Sequence, residues 1–226
     1  MTQPTLFGAA EAPRSDRWSI VVGDAAEVFP TIRGAALVHA DPPWSYTTAP
    51  LSGRYAADHY DTITMTQIVS HLAALYDCAG RDAYLACWCT WPRLGEWMAA
   101  SAALPWAYVS GGAWAKSGRM GIGFHWRGDS EPLLLYKRGS PRALEAISNS
   151  HVSVRTEHSE KPIDFLRSIV RAFCPPDGLV VDLYAGRAPL GVACVQEGRR
   201  YVGVEIDPER AEIARFNIAR AVHRLA

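Results

Sequence analysis

Short apolar segments alternate with longer amphipathic segments along most of this chain, and that order restricts the folds it can adopt. The predicted strands are the apolar runs at residues 18–22, 36–40, 83–90, 106–116, 132–136, 179–184 and 201–205. The predicted helices lie at residues 64–78 or 66–78, 92–103, 162–173, 190–197 and 209–224. Strands that alternate with helices build a doubly wound α/β sheet covered on both faces, whose ligands bind beyond the carboxyl ends of the strands.

The length of the chain, 226 residues, and the absence of a repeat predict one domain over residues 17–226, preceded by a flexible arm at residues 1–16. Residues 45–62 form a predicted long loop, and residues 138–158 are polar and predicted to be irregular. Long loops in a domain of this size are often functional. The segments 45–62 and 117–158 are therefore the predicted substrate-recognition elements.

The composition excludes several classes of protein. Lysine plus arginine equals aspartate plus glutamate, so the formal net charge is zero and any nucleic-acid surface must be local. The five cysteines have no disulfide or zinc spacing, and no metal is predicted. Because the sequence shows neither a signal peptide nor an apolar run long enough to cross a bilayer, we expect a cytoplasmic protein with no membrane partner.

The first candidate site is Asp41-Pro42-Pro43-Trp44, directly after the apolar run at residues 36–40. Consecutive prolines remove backbone donors and end a strand. An exocyclic amine of a base is a poor nucleophile, because its lone pair is delocalised into the ring. The Asp41 carboxylate and the Pro42 carbonyl could accept hydrogen bonds from both its N–H groups, while Trp44 offers a ring on which an extruded base stacks. The alternative is a strand-ending turn with a packed tryptophan.

A second candidate site follows the predicted strand at residues 179–184. Residues 182–186 read Asp-Leu-Tyr-Ala-Gly, a small-residue turn that enters a helix. Neither G-x-G-x-x-G nor a P-loop occurs, which favours a nucleotide-like ligand without a pyrophosphate. Glu205 ends the next strand, where an acid can hold ribose hydroxyls. The alternative is an ordinary strand–helix–strand unit with a surface acid.

Basic and aromatic side chains are interleaved between residues 114 and 142. Cations suit contacts to phosphates, and aromatic rings suit stacking on bases. The predicted nucleic-acid contacts are Lys116, Arg119, Arg127, Lys137 and Arg138. The alternative is a solvated loop and strand edge.

These segments together resemble a known family. Asp41-Pro-Pro-Trp44 resembles motif IV of amino-directed methyltransferases, in the spelling typical of the MT-A70-like adenine-N6 family. Residues 182–186 and 203–207 resemble the cofactor motifs of β-class DNA methyltransferases, and the catalytic motif precedes them, which is the permuted order of both groups. Residues 114–116 and 127–139 resemble the middle of bacterial and phage MT-A70-like enzymes, and residues 158–162 resemble their approach to the cofactor site.

The resemblance implies a single-domain, Rossmann-like α/β fold of the S-adenosylmethionine-dependent methyltransferases, acting on N6 of adenine in DNA. It implies that Asp41 and the Pro42 carbonyl, within the motif that includes Pro43, hold the target amine and that Trp44 stacks on the base. The implied cofactor residues are Asp41, Lys161, Asp182, Tyr184, Gly186, Glu205 for the ribose and Asp207 near the adenine end. The chain departs from the β-class pattern at residues 187–190, where Arg-Ala-Pro-Leu replaces small polar residues.

Three alternatives stay open at this point. The acceptor could be adenine in RNA, or the fold could be a catalytically silent module that binds nucleic acid or a partner, which the changed turn at residues 187–190 would favour. Cytosine-N4 methylation is disfavoured, because that chemistry is usually associated with serine at position 41. We also expect a short or relaxed recognition sequence. A homodimer is left open, and His39 is predicted to be a hydrogen-bonded core residue.

Overall fold

A computed structural model of the chain describes residues 17–28, 32–44, 63–118, 126, 128–154 and 160–225. Eight strands form one sheet in the order β1-β8-β7-β2-β3-β5-β4-β6. They are β1 (Trp18–Val22), β2 (Ala35–Ala40), β3 (Ala79–Trp88), β4 (Ala107–Ser117), β5 (Ser130–Arg138), β6 (Ser150–Val154), β7 (Leu179–Asp182) and β8 (Arg200–Glu205).

The direction of the strands determines which residues meet. Among the described strands only β5 runs against the others, since β3 and β4 both pair with it in antiparallel fashion and all other pairs are parallel. The remaining strands therefore end at one common edge, where β5 begins. We call this the carboxyl edge: it is where β2, β7 and β8 end.

Helices cover both faces of the sheet, as the sequence predicts. The helices are α1 (Ala25–Val28), α2 (Met65–Cys78), α3 (Leu94–Ser101), α4 (Ile163–Phe173), α5 (Pro189–Gln196) and α6 (Pro208–His223), with a short 3-10 helix at Trp91–Arg93. One apolar cluster joins α4, α5 and α6 to the sheet, for example through Ile169 and Ile218, and a second joins α2 and α3 through Leu72 and Trp97.

Local sequence explains where the elements that frame the carboxyl edge begin and end. Pro42 and Pro43 follow β2 and end it, because neither can donate to the neighbouring strand. Thr64 caps α2 in a capping box with Gln67. Of the two predicted helix starts, Thr64 and Thr66, the structure therefore shows the first. Asp207 caps α6, and Pro208 occupies the first helical position, where its missing N–H costs nothing.

The main difference from the predicted elements lies in residues 138–158. The sequence predicts an irregular segment, and this is wrong for β6, which pairs in parallel with β4 at the edge of the sheet. An edge strand has only one neighbour, and here exposed and half-buried residues alternate, so no apolar run marks it. Within the described residues, no helix is long and apolar enough to span a membrane. The arm at residues 1–16 and the loop at residues 45–62 lie outside the described part.

Candidate active site

The carboxyl edge brings most of the predicted site residues together. Strands β2 and β7 lie side by side, with His39 opposite Asp182, and the Leu183 amide donates to the His39 carbonyl at 3.1 Å. Asp41 follows the end of β2 and Gly186 follows the end of β7, so both lie beyond neighbouring strands at this edge. Glu205 ends β8 on the far side of β7. The two candidate sites of the sequence thus lie at the same edge of the sheet.

Asp41 is partly open to solvent at this edge. Its side chain is 32% exposed, and its Oδ2 accepts a hydrogen bond from Lys161 Nζ at 2.5 Å. In the described part of the chain the Pro42 carbonyl accepts no hydrogen bond, whereas the Pro43 carbonyl accepts one from the Ile63 amide at 3.1 Å. A carboxylate and a free carbonyl that are adjacent in sequence can both accept from one –NH₂ group.

Lys161 is the centre of a buried set of charges. Its side chain is 7% exposed, and Nζ lies 3.1 Å from Glu131 Oε2 in addition to its contact with Asp41. Lys116 in turn donates to Glu131 Oε1. Nζ of Lys161 also lies 4.9 Å from the centre of the Trp88 ring, a favourable cation–π position. Asp41, Lys161, Glu131 and Lys116 form a neutral chain of alternating charges, which we call the charge chain.

The charge chain shifts the pKa values of Lys161 and Glu131. Burial alone would lower the pKa of Lys161, but the carboxylates of Asp41 and Glu131 more than offset burial, and its pKa lies above the ordinary lysine value. Burial would raise the pKa of Glu131, yet Lys161 and Lys116 hold it below the ordinary glutamate value. At neutral pH the lysine is therefore a cation and Glu131 an anion.

Trp44 does not present its ring to solvent in this structure. It is 5% exposed and packs edge-to-face on Trp97, with ring centres 5.9 Å apart. Its indole nitrogen is buried and has no hydrogen-bond partner among the described residues. The structure therefore places the Trp44 ring in the apolar cluster with Trp97, and its stacking on a base stays a prediction.

Asp182 is held in a buried hydrogen-bond network. Its Oδ1 lies 2.8 Å from His39 Nδ1, and its Oδ2 accepts from the Tyr201 hydroxyl at 3.0 Å. Because the Trp88 indole can only donate, His39 Nε2 accepts from it at 3.0 Å, and the ring proton of the neutral imidazole is on Nδ1. His39 is thus a hydrogen-bonded core residue, as predicted, and the Asp182 side chain links β7 to both of its neighbours, β2 and β8.

Glu205 links two backbone segments at the carboxyl edge. Its Oε2 accepts from the Gly186 amide at 2.7 Å and its Oε1 from the Asp207 amide at 3.0 Å. Each carboxylate oxygen has two lone pairs, so both can still accept from a ligand. Asp207 itself is occupied as the cap of α6, where its Oδ1 accepts from the amides of Glu209 and Arg210.

The unusual turn at residues 186–189 is well formed. Gly186 has φ +54°, and open space surrounds the position that a Cβ would take. Ala188 has φ 57° and precedes α5, while Arg187 pairs with Glu160 at 3.1 Å. Tyr184 lies beside the turn, and its hydroxyl is 2.9 Å from His71 Nδ1 on α2. The backbone at Gly186 is therefore open to a close ligand, which fits a flat or extended cofactor beside Glu205.

The predicted basic surface is divided by the fold. Lys137 and Arg138 lie opposite Tyr84 and Ala83, at the end of β5 and therefore at the edge opposite Asp41. Arg138 donates to the carbonyls of Tyr76 and Ala79, so its guanidinium stabilises the C-terminal end of α2. Because β5 is antiparallel, these two residues lie away from Asp41, and their contact with nucleic acid stays a prediction.

Lys116 lies at the correct edge, but it is not a free surface cation. Its side chain is 9% exposed and is occupied by Glu131, with Nζ 4.8 Å from the centre of the Trp114 ring. The fold thus uses Lys116 inside the charge chain. Arg119 and Arg127 lie outside the described residues.

Two residues at this edge were not predicted from the sequence. Glu131 lies in the segment 127–139 that the family resemblance covers, but the sequence assigns it no role, and the antiparallel direction of β5 brings it to Lys161. Trp91 follows β3, is 50% exposed, and donates its indole N–H to Ser130 Oγ at 2.9 Å. The position of Trp91 just after a predicted strand end was a signal that could have found it.

Potential metal ligands, one cavity and the cysteines in the described structure do not form a rival centre. The described residues contain no cluster of three potential metal ligands. A cavity of about 390 Å³ lies between residues 145–151 and α4, but it contains none of the predicted site residues. The five cysteines are free and buried, and burial raises the pKa of Cys89 to about 12, so this thiol is not a reactive nucleophile.

Comparisons with known proteins agree with this geometry. The fold matches M1.HpyAVI in its complex with S-adenosylmethionine (TM-score 0.71, 14% identity), covering 89% of this chain and 99% of that chain. It also matches the PvuII DNA methyltransferase, which is cytosine-N4-specific (TM-score 0.72, 12% identity, 93% of each chain). The chain has the α/β fold of S-adenosylmethionine-dependent DNA methyltransferases.

Similarity in sequence points to the same class. Residues 144–216, which contain the turn at Gly186 and Glu205, match the N6/N4-type family model described as DNA methylase. YubD of Escherichia coli strain K12, a protein whose name describes a methylase, is 25% identical over 196 residues, which cover 82% of this chain and 83% of YubD. The matches in sequence and in fold together support a DNA methylase of the N6/N4 type.

Proposed function

We propose that this protein is an S-adenosylmethionine-dependent methyltransferase that methylates N6 of adenine in DNA. The observation that carries the proposal is the meeting, at one edge of the sheet, of Asp41 with its neighbouring Pro42 carbonyl and the Gly186 turn held by Glu205. One half of this site offers acceptors for an amine. The other half offers an open backbone and a buried carboxylate for a nucleoside-like cofactor.

The residues around Asp41 would act on the acceptor amine. The carboxylate and the Pro42 carbonyl would each accept one N–H, which turns the nitrogen lone pair out of conjugation with the ring. Lys161 holds Oδ2 of the carboxylate and leaves the partly exposed side of Asp41 to the amine. Such interactions accelerate a reaction when they strengthen as the amine becomes tetrahedral.

The residues around Glu205 would hold the cofactor. When bound, S-adenosylmethionine supplies an electrophilic methyl group on a sulfonium. Glu205 would accept from its ribose hydroxyls, the Gly186 backbone would allow a close approach, and Lys161 would lie toward the methionine end. Asp182 and Tyr184 would support the cofactor site rather than bind the cofactor directly, because their polar atoms are already hydrogen-bonded to Tyr201, His39 and His71.

The carboxylate at position 41 favours adenine over cytosine as the acceptor. The order of the two half-sites along the chain, with the amine site first, agrees with a permuted member of the MT-A70-like and β-class group. We propose a short or relaxed recognition sequence, because among the described basic residues Lys137 and Arg138 lie at the far edge and Lys116 is occupied by Glu131.

Nucleoside mass spectrometry tests the proposal directly. The purified protein is incubated with S-adenosylmethionine and either unmethylated DNA or unmethylated RNA, and the nucleic acid is digested to nucleosides. N6-methyldeoxyadenosine from the DNA is expected. N4-methyldeoxycytidine would reassign the acceptor to cytosine, and N6-methyladenosine from the RNA alone would reassign the polymer.

A catalytically silent module is the rival that the changed turn at residues 187–190 favours. Calorimetry with S-adenosylmethionine separates the two, because a silent module need not bind it. Saturable binding of the cofactor that is lost in Glu205→Ala supports the enzyme. An absence of binding by the folded wild-type protein would support the rival.

A further inference from the structure

The charge chain contains more groups than the reaction itself needs. Asp41 and the Pro42 carbonyl suffice as acceptors for an amine, and Lys161 suffices to hold Asp41. Yet Glu131 contacts Lys161 at 3.1 Å, and Lys116 contacts the other oxygen of Glu131. Burying two further charges at the carboxyl edge costs free energy unless the charges are paired, so a role for them in the site is expected.

A lysine by itself is a poor positioning group, because its ammonium ends a flexible stem with three rotatable donors. Here three contacts fix Lys161: Asp41 Oδ2, Glu131 Oε2 and the face of the Trp88 ring. Without Glu131, only Asp41 would hold the ammonium by an ion pair. Lysine and aspartate could then move together.

Glu131 is well placed to be the fixed point. It lies in β5, opposite Trp114 of β4, so its backbone belongs to the sheet rather than to a loop. Its side chain is 19% exposed, and Lys116 of β4 binds the oxygen that Lys161 leaves free. Lys161 lies between strand β6 and helix α4 in sequence. Its ion pair with Glu131 therefore connects it to the start of β5 and so to the sheet.

We propose that Glu131 is a positioning residue that fixes the Lys161 ammonium, and through it the Asp41 carboxylate, in the orientation required for the acceptor amine, with Lys116 fixing Glu131. The inference deepens the proposed function and rests on it. Glu131 does not touch the substrate. Its loss should therefore reduce turnover through misplacement of Asp41, with little effect on DNA binding.

The main variant is Glu131→Gln, which keeps the shape and removes the charge. Its control is Glu145→Gln, which removes a carboxylate from an exposed ion pair with Arg171. We expect kcat to fall about 10- to 100-fold in Glu131→Gln, as for other small misplacements of reacting groups, with the KM for DNA changed less than about threefold. Glu145→Gln should behave as the wild type.

A second measurement does not depend on activity. Acetic anhydride acetylates neutral, accessible lysine side chains, and the rate at Lys161 is followed by peptide mass spectrometry. Lys161 should be protected in the wild type and in Glu145→Gln and should react faster in Glu131→Gln, because one of its two carboxylates is lost. Circular dichroism confirms that each variant is folded.

If Glu131→Gln does not fold, Lys116→Gln is the alternative test variant. It also distinguishes a positioning role of Lys116 from a direct contact between Lys116 and DNA. Positioning predicts a lower kcat with an unchanged dependence of DNA binding on salt. If Lys116 instead contacts a DNA phosphate, its loss should reduce the slope of log binding affinity against log salt concentration by about one.

The two proposals fail in different ways. Lack of methylation by the wild type would refute the proposed function, and acetylation would still test the contact between Glu131 and Lys161. If folded Glu131→Gln keeps the wild-type kcat, or acetylates at Lys161 at the wild-type rate, the positioning role is overturned. An unchanged kcat in Lys116→Gln would overturn the part assigned to Lys116.

Discussion

At the scale of single residues, Asp41 differs from Asp182 and Glu205, two other acids of the carboxyl edge. Asp182 and Glu205 are buried, and both oxygens of each accept hydrogen bonds within the protein. Asp41 is bound at one oxygen by Lys161 and is otherwise open. Of these three acids, Asp41 is therefore the one whose carboxylate is partly open to an acceptor amine.

Asp41→Ala should abolish most methylation while leaving cofactor binding nearly intact. The carboxylate acts on the amine in the transition state, and the loss of such an interaction costs about 100-fold or more in kcat. Steady-state kinetics and calorimetry with S-adenosylmethionine measure the two effects. Turnover near the wild-type value would contradict the role of Asp41.

Trp91 is an exposed tryptophan anchored at the same edge. The bond from its indole to Ser130 holds the ring in place, and half of the side chain faces solvent. Trp91→Ala should weaken binding of single-stranded or extruded bases by about 1–3 kcal/mol, the usual value for base stacking. Fluorescence anisotropy with a labelled oligonucleotide measures this, and Trp91→Phe should retain most of the affinity. Equal affinities of Trp91→Ala and the wild type would exclude Trp91 from the DNA surface.

At the scale of elements, Glu205 couples the end of β8 to the turn before α5 and to the start of α6. The amides of Gly186 and Asp207 converge on one carboxylate, and Asp207 then caps α6. A single side chain thus sets the relative position of a strand, a turn and a helix. This arrangement explains why an acid is useful at the strand end even before a cofactor is bound.

Glu205→Ala should raise the Kd for S-adenosylmethionine. A carboxylate that accepts from ribose hydroxyls contributes about 1.5–3 kcal/mol through charge-assisted hydrogen bonds. Glu205→Gln, which can accept at only one oxygen, should have an intermediate Kd. Calorimetry measures all three proteins. If the Kd is unchanged in folded Glu205→Ala, the carboxylate only supports the turn.

At the scale of the whole molecule, the charge chain makes stability depend on pH. The pKa of Glu131 is held below the ordinary value of 4.5 despite burial, so its ion pairs stabilise the fold above that pH. As the pH falls through 4.5 toward the lower pKa of the folded state, this contribution is lost. The contribution of Lys161 to stability changes with pH in the opposite direction. Because its pKa is raised on folding, this contribution is complete below the ordinary lysine pKa and is lost at more alkaline pH.

The difference in stability between the wild type and Glu131→Gln should therefore depend on pH. It should be complete above about pH 5, on the order of 1.5–3 kcal/mol for hydrogen bonds to a charged group, and should shrink as the solution is acidified. Thermal or urea unfolding between pH 3.5 and 7 would measure it. For the exposed pair of Glu145 and Arg171 we expect a difference below about 1 kcal/mol. A difference for Glu131 that stays constant over this range would contradict the ion pairing.

The sequence by itself determined the alternation of strands and helices, the end of β2 at Pro42 and the small-residue turn at Gly186. Each depends on local properties: apolar periodicity, the missing N–H of proline and the conformational freedom of glycine. It also placed Asp41 and Glu205 at strand ends. Because parallel strands end at one edge, this was enough to predict most of the candidate site.

Only the tertiary structure decided which charges belong to that site. Local periodicity carries no information about the direction or order of strands, since these depend on contacts between distant segments. The antiparallel direction of β5 brings Glu131 to Lys161 and carries Lys137 and Arg138 to the opposite edge. The pairing of β6 with β4 likewise gave a strand to a segment without an apolar run. Long-range pairing, rather than any motif, therefore separates the charges that hold Asp41 from those that support the rest of the fold.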